Sequence, residues 1–446
     1  MLVYVLGMSK PSAPDVLQLF LQVAPPSMFS QWAQQQQWRT RSGVYSPAVV
    51  IWLMIFQRLN ARGTLSTAVA EVVQGRLPAG LLVECKRLRE DKVSRNTSGY
   101  CRARQHLPLE IAEHVLEHIL TTLLQKLGTP SAELAGPVYL LDGSSLQLGA
   151  SRELRRLYPP GQNQHGRAHW PVLRVLVAHD LATGLATRPQ WGPMYGANAV
   201  SEQALAETIL DQLPAQATVM GDRNFGIFSV AYGAHRRRHP VLLRLTKARA
   251  LHLCCHKKLR SGTEQAVVWQ ASPYERRRQP HLPADAEVPG RVVACALPGW
   301  RPIYLFTTLT LPAEKLIQLY ALRWNIETDL RSLKQTVRLH RIDVQSQAMM
   351  EKELLLAISA YNLVRAVMTL AAQAAAIPVR QLSFTHILDL VEAFLHAVSE
   401  TPGDEAERFA RLVRQAATCR LPQRRRRRSF PRQVWGSGYR YPRRRR

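Results

Sequence analysis

The sequence is poor in cysteine and in acidic residues. It contains 6 cysteines among 446 residues, far below the density of a small disulfide-stabilised secreted domain. Asp and Glu number 32 against 59 for Lys and Arg, so the formal net charge is +27. The scarcity of cysteine predicts a reducing compartment. The excess of positive charge predicts a polyanion as partner, because each neutralised phosphate releases counterions.

Long hydrophobic runs are also missing. Residues 47–56 are apolar but too few to span a bilayer, and the apolar stretch 354–376 is interrupted by Tyr361, Asn362 and Arg365. The first seven residues lack the basic start and the cleavage site of a signal peptide. No helix pattern combines a basic face with a large apolar face, as binding to a membrane surface would require. We therefore expect two buried core helices and a cytoplasmic protein that does not bind membranes.

Several common catalytic motifs are absent. The sequence has no Gly-x-Ser-x-Gly elbow around Ser144 and no Gly-rich phosphate-binding loop with a lysine. The cluster His252, Cys254, Cys255 and His256 is too compressed for the usual spacing of zinc ligands. These absences argue against a serine hydrolase, a P-loop nucleotidase and a zinc-binding module.

Residues 320–334 carry the most informative pattern in the chain. They include neither Gly nor Pro, and apolar residues recur at steps of three and four, which predicts an amphipathic helix. These apolar residues are Leu322, Ile326, Leu330 and Leu333. At about 100° per residue, four other residues share a separate face: Tyr320, Arg323, Glu327 and Lys334. Taken alone, a Glu between cations is more often a solvated helix face than a functional site.

The full spacing favours function over a solvated face. Tyr-x2-Arg-x3-Glu-x6-Lys resembles, position for position, the Tyr-Arg-Glu-Lys signature of the bacterial insertion sequence 4 family of DDE transposases. In that family the Glu forms a catalytic triad with two aspartates that lie upstream. The resemblance therefore implies a triad of Asp142, Asp222 and Glu327, which would bind Mg²⁺ and catalyse DNA strand cleavage and strand transfer.

The two aspartates stand in shorter motifs. Asp142 begins Asp-Gly-Ser after an apolar run, a pattern that by itself fits an ordinary turn. Asp222 stands in Gly-Asp-Arg-Asn-Phe-Gly, which resembles the family's Asp-Arg-Gly-Phe. Asn224 replaces the usual Gly, and this departure is mild because Asn tolerates left-handed backbone better than most residues.

A group of three carboxylates, such as Asp142, Asp222 and Glu327, suits metal-dependent phosphoryl transfer. Two Mg²⁺ ions about 3.5 to 4 Å apart can activate an attacking oxygen and stabilise the leaving one, and both ions prefer oxygen ligands. Mn²⁺ is the expected substitute for Mg²⁺. No covalent protein nucleophile is then required.

The resemblance also implies contacts with DNA. Cations near a metal-binding Glu suit the phosphate backbone. The residues that we expect to contact DNA are Tyr320, Arg323, Lys334, Arg223 and Trp300. Relatives can carry a Trp that stacks on a flipped base, a role open here to Trp300 or Trp269. A packed core position is the alternative for either Trp.

The expected fold class is α/β. The resemblance implies a ribonuclease-H-like catalytic core, a mixed sheet with flanking helices, that is interrupted by a β-rich insertion. The expected regions are an N-terminal helical DNA-binding region at 1–130, the core at 136–345 with its insertion at about 247–300, a C-terminal helical region at 346–418, and an Arg-rich disordered tail at 419–446.

Periodicity places the elements inside these regions. Strands are predicted at 138–141, 172–178, 184–188 and 218–221, with a helix at 200–213. The insertion should hold strands at 266–270 and 291–297, followed by a turn at 298–300 and a strand at 303–308. Helices are predicted at 13–23, 46–59, 64–73, 108–127, 351–376, 384–398 and 405–417. A basic connector at 86–104, with Tyr100 interleaved, fits a solvated linker or a DNA contact equally well.

The expected partners are double-stranded DNA, as transposon ends and as target, and a second copy of the chain in a homodimer on DNA. The expected location is the nucleoid of a bacterial cytoplasm. Two alternatives remain. One is a catalytically inactive, DNA-binding relic of a transposase, and the other is a different ribonuclease-H-like nuclease, which would have no reason to keep Tyr320, Arg323 and Lys334 at this spacing.

Overall fold

A computed structural model describes residues 43–60, 63–77, 81, 86–128, 134–164, 166–257, 259–280, 282–295, 302–400 and 405–422. Three predicted features lie outside the described residues. They are the helix at 13–23, the turn at 298–300 with Trp300, and the tail from residue 423 onward.

The described N-terminal residues form helices. They are α1 Pro47–Leu59, α2 Leu65–Val73, α3 Lys86–Arg89, α4 Ser98–His106 and α5 Leu109–Leu127. The side chains of Ser46 and Thr64 accept hydrogen bonds from Val49 N and Thr67 N, so both cap the helices that follow them. The predicted helices at 46–59, 64–73 and 108–127 are confirmed to within one residue at each start.

The basic connector is more structured than a linker. It holds α3 and α4, and the Tyr100 side chain is fully buried. Arg104 is also buried, where its guanidinium pairs with Glu353. The interpretation of these two residues as parts of a solvated linker or a DNA contact is therefore wrong, because tertiary packing takes both into the core.

One nine-stranded sheet forms the centre of the described structure. The strands are β1 Val138–Leu148, β2 Gln162–Asn163, β3 Gly166–Arg167, β4 Val172–Asp180, β5 Gln190–Pro193, β6 Thr218–Gly221, β7 Val241–Leu245, β8 Glu264–Gln270, β9 Glu287–Cys295, β10 Ile303–Thr307 and β11 Arg341–Ile342. The order is β5-β4-β1-β6-β7-β10-β9-β8, with β11 on the far half of β1 and β2-β3 apart as a separate pair. β4 and β5 run antiparallel to their neighbours, whereas β1, β6 and β7 pair in parallel.

Strand lengths differ from expectation in two places. β1 continues to Leu148 instead of ending before Asp142, because β4 pairs with it as far as Gln147. The strand predicted at 184–188 is reduced to a single bridge between His179 and Ala186, and the neighbour of β4 is β5.

The predicted insertion extends the same sheet. β10 pairs antiparallel with β7, and β9 and β8 follow outward. The insertion strands predicted from the sequence are confirmed with shifted ends, but their addition to the core sheet was not foreseen. Helices α9 Lys247–Leu253 and α10 Pro273–Arg278 lie between these strands in the sequence.

Helices cover both faces of the sheet. The remaining helices are α6 Arg152–Leu157, α7 Glu202–Gln212, α8 Phe228–Arg236, α11 Ala313–Ala321, α12 Asn325–Arg331, α13 Gln347–Ala374, α14 Phe384–Glu400 and α15 Glu405–Thr418. α7 and α8 pack on the face of Tyr139 and Leu141. α11 and α12 pack on the opposite face, that of Val138 and Leu140.

The 28-residue helix α13 is the main core helix. It packs against α5 and α1 of the N-terminal region and against α14 and α15. Among the described helices it alone has the length and apolar composition of a membrane span, yet 94% of its most apolar window is buried inside the protein. The predicted core helices at 47–56 and 354–376 are therefore confirmed.

His179 gives the fold a defined acid sensitivity. It is fully buried on β4, and its Nδ1 lies 3.3 Å from the carbonyl oxygen of Gly184. Burial lowers the pKa of this imidazole from 6.5 to about 4. The folded state therefore disfavours the charged form, so the stability that the neutral ring contributes is present above pH 6.5 and is lost as the pH falls toward 4.

We expect this loss to reach about 3 kcal/mol of unfolding free energy. Urea unfolding at a series of pH values should show a steeper decline between pH 6.5 and 4 for the wild type than for His179→Gln, which cannot gain a proton. His386→Gln, at an exposed position of α14, is the matched control and should follow the wild type. Parallel curves for the wild type and His179→Gln would contradict the assignment.

Candidate active site

Asp142 and Asp222 meet where the parallel pairing of β1 and β6 ends. The last paired residues are Leu141 and Gly221, so the two aspartates occupy the next positions on adjacent strands. Because side chains alternate along a strand, both carboxylates belong to the face of Val138 and Leu140, which α11 and α12 cover. The structure brings these two acids together, with Asp142 within its strand and not at its end.

The neighbouring groups affect the ionisation of Asp142. The pKa of Asp142 is raised to about 6, mainly by burial; the charges of Asp222 and Glu202 act in the same direction, whereas the hydrogen bond from Gly143 N and the charge of Arg323 lower it. Gly143 N donates to Asp142 Oδ1 at 2.9 Å, and Asn224 N donates to Asp222 Oδ1 at 2.7 Å. A half-buried carboxyl group beside another acid favours a bound cation, which would stabilise the ionised form of both.

Tyr320 and Arg323 lie beside this pair. Tyr320 packs in the core under β1, and burial raises the pKa of its phenol to about 12, against the lowering effect of Arg323. Asp222 also acts on this phenol, and Arg323 acts on Asp142, which places all four groups in one electrostatic cluster. The Arg323 guanidinium lies 4.8 Å from the centre of the Trp324 ring. Of the predicted signature, Arg323 thus lies near Asp142 and Tyr320 lies near Asp222.

The signature stretch is helical throughout but not one α-helix. After α11 come a 3₁₀ turn at Leu322–Trp324, then α12, then a π turn at Ser332–Thr336. The tighter turn advances about 120° per residue and shifts the faces that follow it. As a result Leu322 is 46% exposed, contrary to the predicted apolar stripe, while Ile326, Leu330 and Leu333 are buried as predicted. Tyr320 and Arg323 are buried whereas Glu327 is exposed, so the predicted common face of these residues does not form.

Glu327 is on the exposed side of α12, a helix that contacts β1. Lys334 is half-buried on the π turn, and Arg223 is exposed directly after Asp222. In the part of the chain that the structure describes, no three Asp, Glu, His or Cys side chains form a group that could hold a metal ion. Asp142 and Asp222 fit a hard cation that keeps several water ligands, whereas Glu327 is not grouped with them.

Glu202 is a fourth acid near the site that the sequence pattern did not reveal. A Cβ on Gly143 would lie 2.3 Å from Glu202 Oε1, so the glycine lets this carboxylate approach β1. Glu202 Oε2 accepts a hydrogen bond from Asn224 Nδ2 at 2.5 Å, which links α7 to the turn that follows Asp222. An acid in the first turn of a helix is common, so no sequence signal marked this one.

Asn224 has a different role from the one its residue type suggested. Its backbone φ is not positive, so tolerance of left-handed conformation is not what permits Asn here. Its side chain bridges two residues of α7, because Gln203 Nε2 donates to Asn224 Oδ1 at 2.5 Å while Asn224 donates to Glu202. The departure from Gly therefore ties the Asp222 turn to the neighbouring helix.

Trp269 is a core residue. It is 3% exposed on β8, and its ring packs edge-on against Phe306 and Phe228 at centroid distances of 4.8 and 6.2 Å. This packing favours the core alternative over base stacking for Trp269. Trp300 lies outside the described residues, so its predicted DNA contact stays a prediction.

Comparison with known proteins agrees with this arrangement. A family model described as "Transposase DDE domain" matches residues 134–363, just over half of the chain. Over 357 residues the chain is 27% identical to "Transposase InsG for insertion sequence element IS4" of Escherichia coli (strain K12), covering 77% of this chain and 78% of that protein. The resemblance first indicated by the Tyr-Arg-Glu-Lys spacing is thereby confirmed. Since the match spans both aspartates and the whole signature stretch, this protein belongs to the DDE transposase family.

Proposed function

We propose that this transposase moves a bacterial insertion sequence by cutting and joining DNA strands. It would bind the terminal inverted repeats, hydrolyse a phosphodiester bond to free a 3′-OH, and use that hydroxyl to attack target DNA. The observation that carries the proposal is that Asp142 and Asp222 directly follow the last paired residues of β1 and β6, near Arg323 and Tyr320, within the matched DDE domain.

The acids supply the metal ligands in this proposal. Asp142, Asp222 and Glu327 would hold two Mg²⁺ ions, or Mn²⁺ in their place, which when bound activate the attacking oxygen and stabilise the leaving one. The raised pKa of Asp142 and its second acid neighbour support cation binding at the paired aspartates. Glu327 enters from α12, which packs on the strand that carries Asp142.

The cations orient the DNA in this proposal. Arg323 lies near Asp142 and would bind a phosphate near the scissile bond, while Lys334 and Arg223 would bind neighbouring phosphates. Tyr320 would contact the DNA at the same place, and Trp300 is the proposed contact from the insertion. The net charge of +27 supports a long DNA footprint.

The architecture supports the ribonuclease-H-like class. Three antiparallel strands, a helix and a parallel strand that delivers the second acid occur in the expected order. We assign DNA binding to the N-terminal helices as well, and pairing of two element ends to a homodimer formed on DNA in the bacterial nucleoid. The region boundaries remain predictions. Helix α13 of the C-terminal region packs against α1 and α5 of the N-terminal region, so these two regions are in contact.

A mobility assay tests the function directly. A marker flanked by the DNA that borders this gene should be excised and reinserted in cells that produce the wild type, and not in cells that produce Glu327→Gln. The substitution keeps the size of the side chain and removes the charge that a metal needs. Glu314→Gln on α11, an exposed acid outside the signature, is the matched control and should leave mobility unchanged.

The same assay separates the alternatives. A relic would bind the bordering DNA without moving the marker, so an immobile marker together with tight binding by the purified wild type would overturn the proposal. A different ribonuclease-H-like nuclease would cut DNA without regard to the element ends. In that case cleavage would not depend on the bordering sequence, and no joined product would form.

A further inference from the structure

Asp329 is a fully buried acid whose surroundings are unusually rich in arginine. It lies on α12, two residues after Glu327. Its Oδ1 pairs with Arg365 of α13, and its Oδ2 accepts a hydrogen bond from Arg380 Nη2 at 2.8 Å. Although burial alone would raise the pKa of Asp329, the two guanidinium groups hold it below its ordinary value. A buried acid between two arginines is costly to form, so its position is tightly specified.

The arginines connect Asp329 to the sheet. Arg365 Nε donates to Tyr361 Oη at 2.9 Å, and Tyr361 Oη donates to the carbonyl oxygen of Gly184 at 2.9 Å. Arg380 donates to the carbonyl oxygen of Leu181. The turn that contains these two carbonyls follows β4, which pairs directly with the strand of Asp142. The buried cluster therefore links α12 to the strand next to the paired aspartates.

Gly184 shows how closely this link is packed. Its φ is +75°, and a Cβ there would lie 3.0 Å from Arg365 Cζ. Both the backbone conformation and the contact with the guanidinium require glycine. The backbone at Gly184 therefore approaches the Arg365 guanidinium more closely than a residue with a side chain would allow.

The backbone of α12 is constrained less regularly than that of a long α-helix. The helix has seven residues and lies between a 3₁₀ turn and a π turn, so it does not continue the regular hydrogen-bonding pattern of a longer helix. Side-chain contacts therefore add to the backbone in setting the rotation of the helix about its axis. Ile326 and Leu330 face the core, and Asp329 faces the arginine cluster. At about 100° per residue, Glu327 points roughly 200° away from Asp329.

We propose that Asp329 is a positioning residue that, held by Arg365 and Arg380, sets the rotation of α12 and thereby the direction of Glu327. The inference rests on the catalytic role proposed for Glu327. Loss of the Asp329 carboxylate leaves the charge of Arg365 buried without its acid, which is unfavourable. We expect a rotation or local opening of the short helix α12 to be the change that reduces this free-energy cost most readily. Glu327 would then lose its orientation without any change in its own chemistry.

A matched pair of variants tests this role in the full-length protein. Asp329→Asn removes the buried charge on α12. Glu353→Gln is the control, because Glu353 is likewise a buried acid between two arginines, Arg58 and Arg104, but lies on α13. Two readouts are needed: hydrogen exchange of the amides at 325–331, and cleavage of DNA that carries the element end, each measured well below the unfolding temperature of the variant.

We expect Asp329→Asn to speed exchange at 325–331 by about tenfold or more and to slow cleavage by about 10² while DNA affinity changes less than about threefold. Glu353→Gln should leave both the exchange at 325–331 and the cleavage rate within about threefold of the wild type. If both variants behave alike in exchange and cleavage, Asp329 has only a general structural role and the inference is wrong.

Two further measurements keep the outcomes distinct. Arg380→Gln keeps the Asp329–Arg365 pair and should change exchange and cleavage in the same direction but less, so it replaces Asp329→Asn if that variant fails to fold. Unchanged exchange in Arg380→Gln would then overturn the inference. If Glu327→Gln cleaves like the wild type, the proposed role of Glu327 is wrong. Faster hydrogen exchange in Asp329→Asn would in that case show that Asp329 anchors α12, without a consequence for catalysis through Glu327.

Discussion

Asparagine at position 142 or 222 should slow strand cleavage by the purified protein by about 10³ or more, equivalent to roughly 4 kcal/mol of transition-state stabilisation. Asn keeps the shape of the side chain but removes the negative charge that a divalent cation requires. The two substitutions should be far from additive, because both carboxylates lie in one site. Single-turnover cleavage of a duplex that carries the element end, with saturating protein and Mg²⁺, measures the loss.

The controls separate chemistry from binding. Affinity for the same duplex, measured by fluorescence anisotropy without metal, should fall by less than about threefold in both variants, since removing an acid does not weaken phosphate contacts. Asp285→Asn replaces an exposed acid of the insertion and should leave cleavage unchanged. Cleavage by Asp142→Asn within about tenfold of the wild type would remove Asp142 from the proposed catalytic group.

Arg323→Gln should reduce cleavage and joining together, each by about 10². Arg323 is buried beside Asp142 and Tyr320, so its charge acts where the scissile phosphate would lie and not at the edge of the DNA footprint. Its loss also removes the charge that lowers the pKa of Asp142, so the acid side of the pH–rate profile should move to higher pH. Rates of both steps between pH 5 and pH 8 test this expectation.

Arg331→Gln provides the comparison on the same helix. Arg331 is exposed on α12 and outside the signature, so its substitution removes an equal charge without touching the paired aspartates. Its cleavage rate should stay within about threefold of the wild type at saturating protein. Recovery of Arg323→Gln to wild-type rates at high protein concentration would show that Arg323 serves affinity alone, contrary to the role proposed here.

Local patterns located the parts of the site that depend on short stretches of chain. The spacing of Tyr320, Arg323, Glu327 and Lys334 identified the family, and the apolar run before Asp222 predicted β6 with its observed ends. These signals are local because a strand end or a helix face is encoded within a few residues. The starts of α1 and α2 were likewise predicted to within one residue, and in the structure Ser46 and Thr64 cap these helices.

Tertiary contacts decided the rest. β1 runs past Asp142 because β4, about 35 residues away in the sequence, pairs along its whole length. Glu202 approaches Gly143 only after α7 docks on the sheet. Around Glu327 the helix changes from 3₁₀ to α to π, where α12 packs against β1 and the π turn packs against α13. Periodicity assumes one regular helix, so it placed Leu322 in the core although the side chain is exposed.

The insertion illustrates the same limit. Alternating residues predicted its strands, yet nothing in the alternation specifies which sheet they join. In the structure β10, β9 and β8 extend the sheet beyond β7, and Phe306 and Trp269 pack within the same hydrophobic cluster as Tyr139 and Leu141. Strand pairing over long sequence separations is a property of the assembled core and not of the segment.

The position of α13 shows that the matched DDE domain and the cooperative folding unit have different limits. The match to the DDE domain ends at residue 363, within the helix Gln347–Ala374. This helix buries its apolar surface against α5 and α1 as well as against α14 and α15. A fragment cut at the limits of the match would expose that surface and divide the helix. We therefore expect the sheet, the N-terminal helices and the C-terminal helices to unfold in one transition. A destabilising mutation in any of these parts should then lower the unfolding free energy of the whole unit.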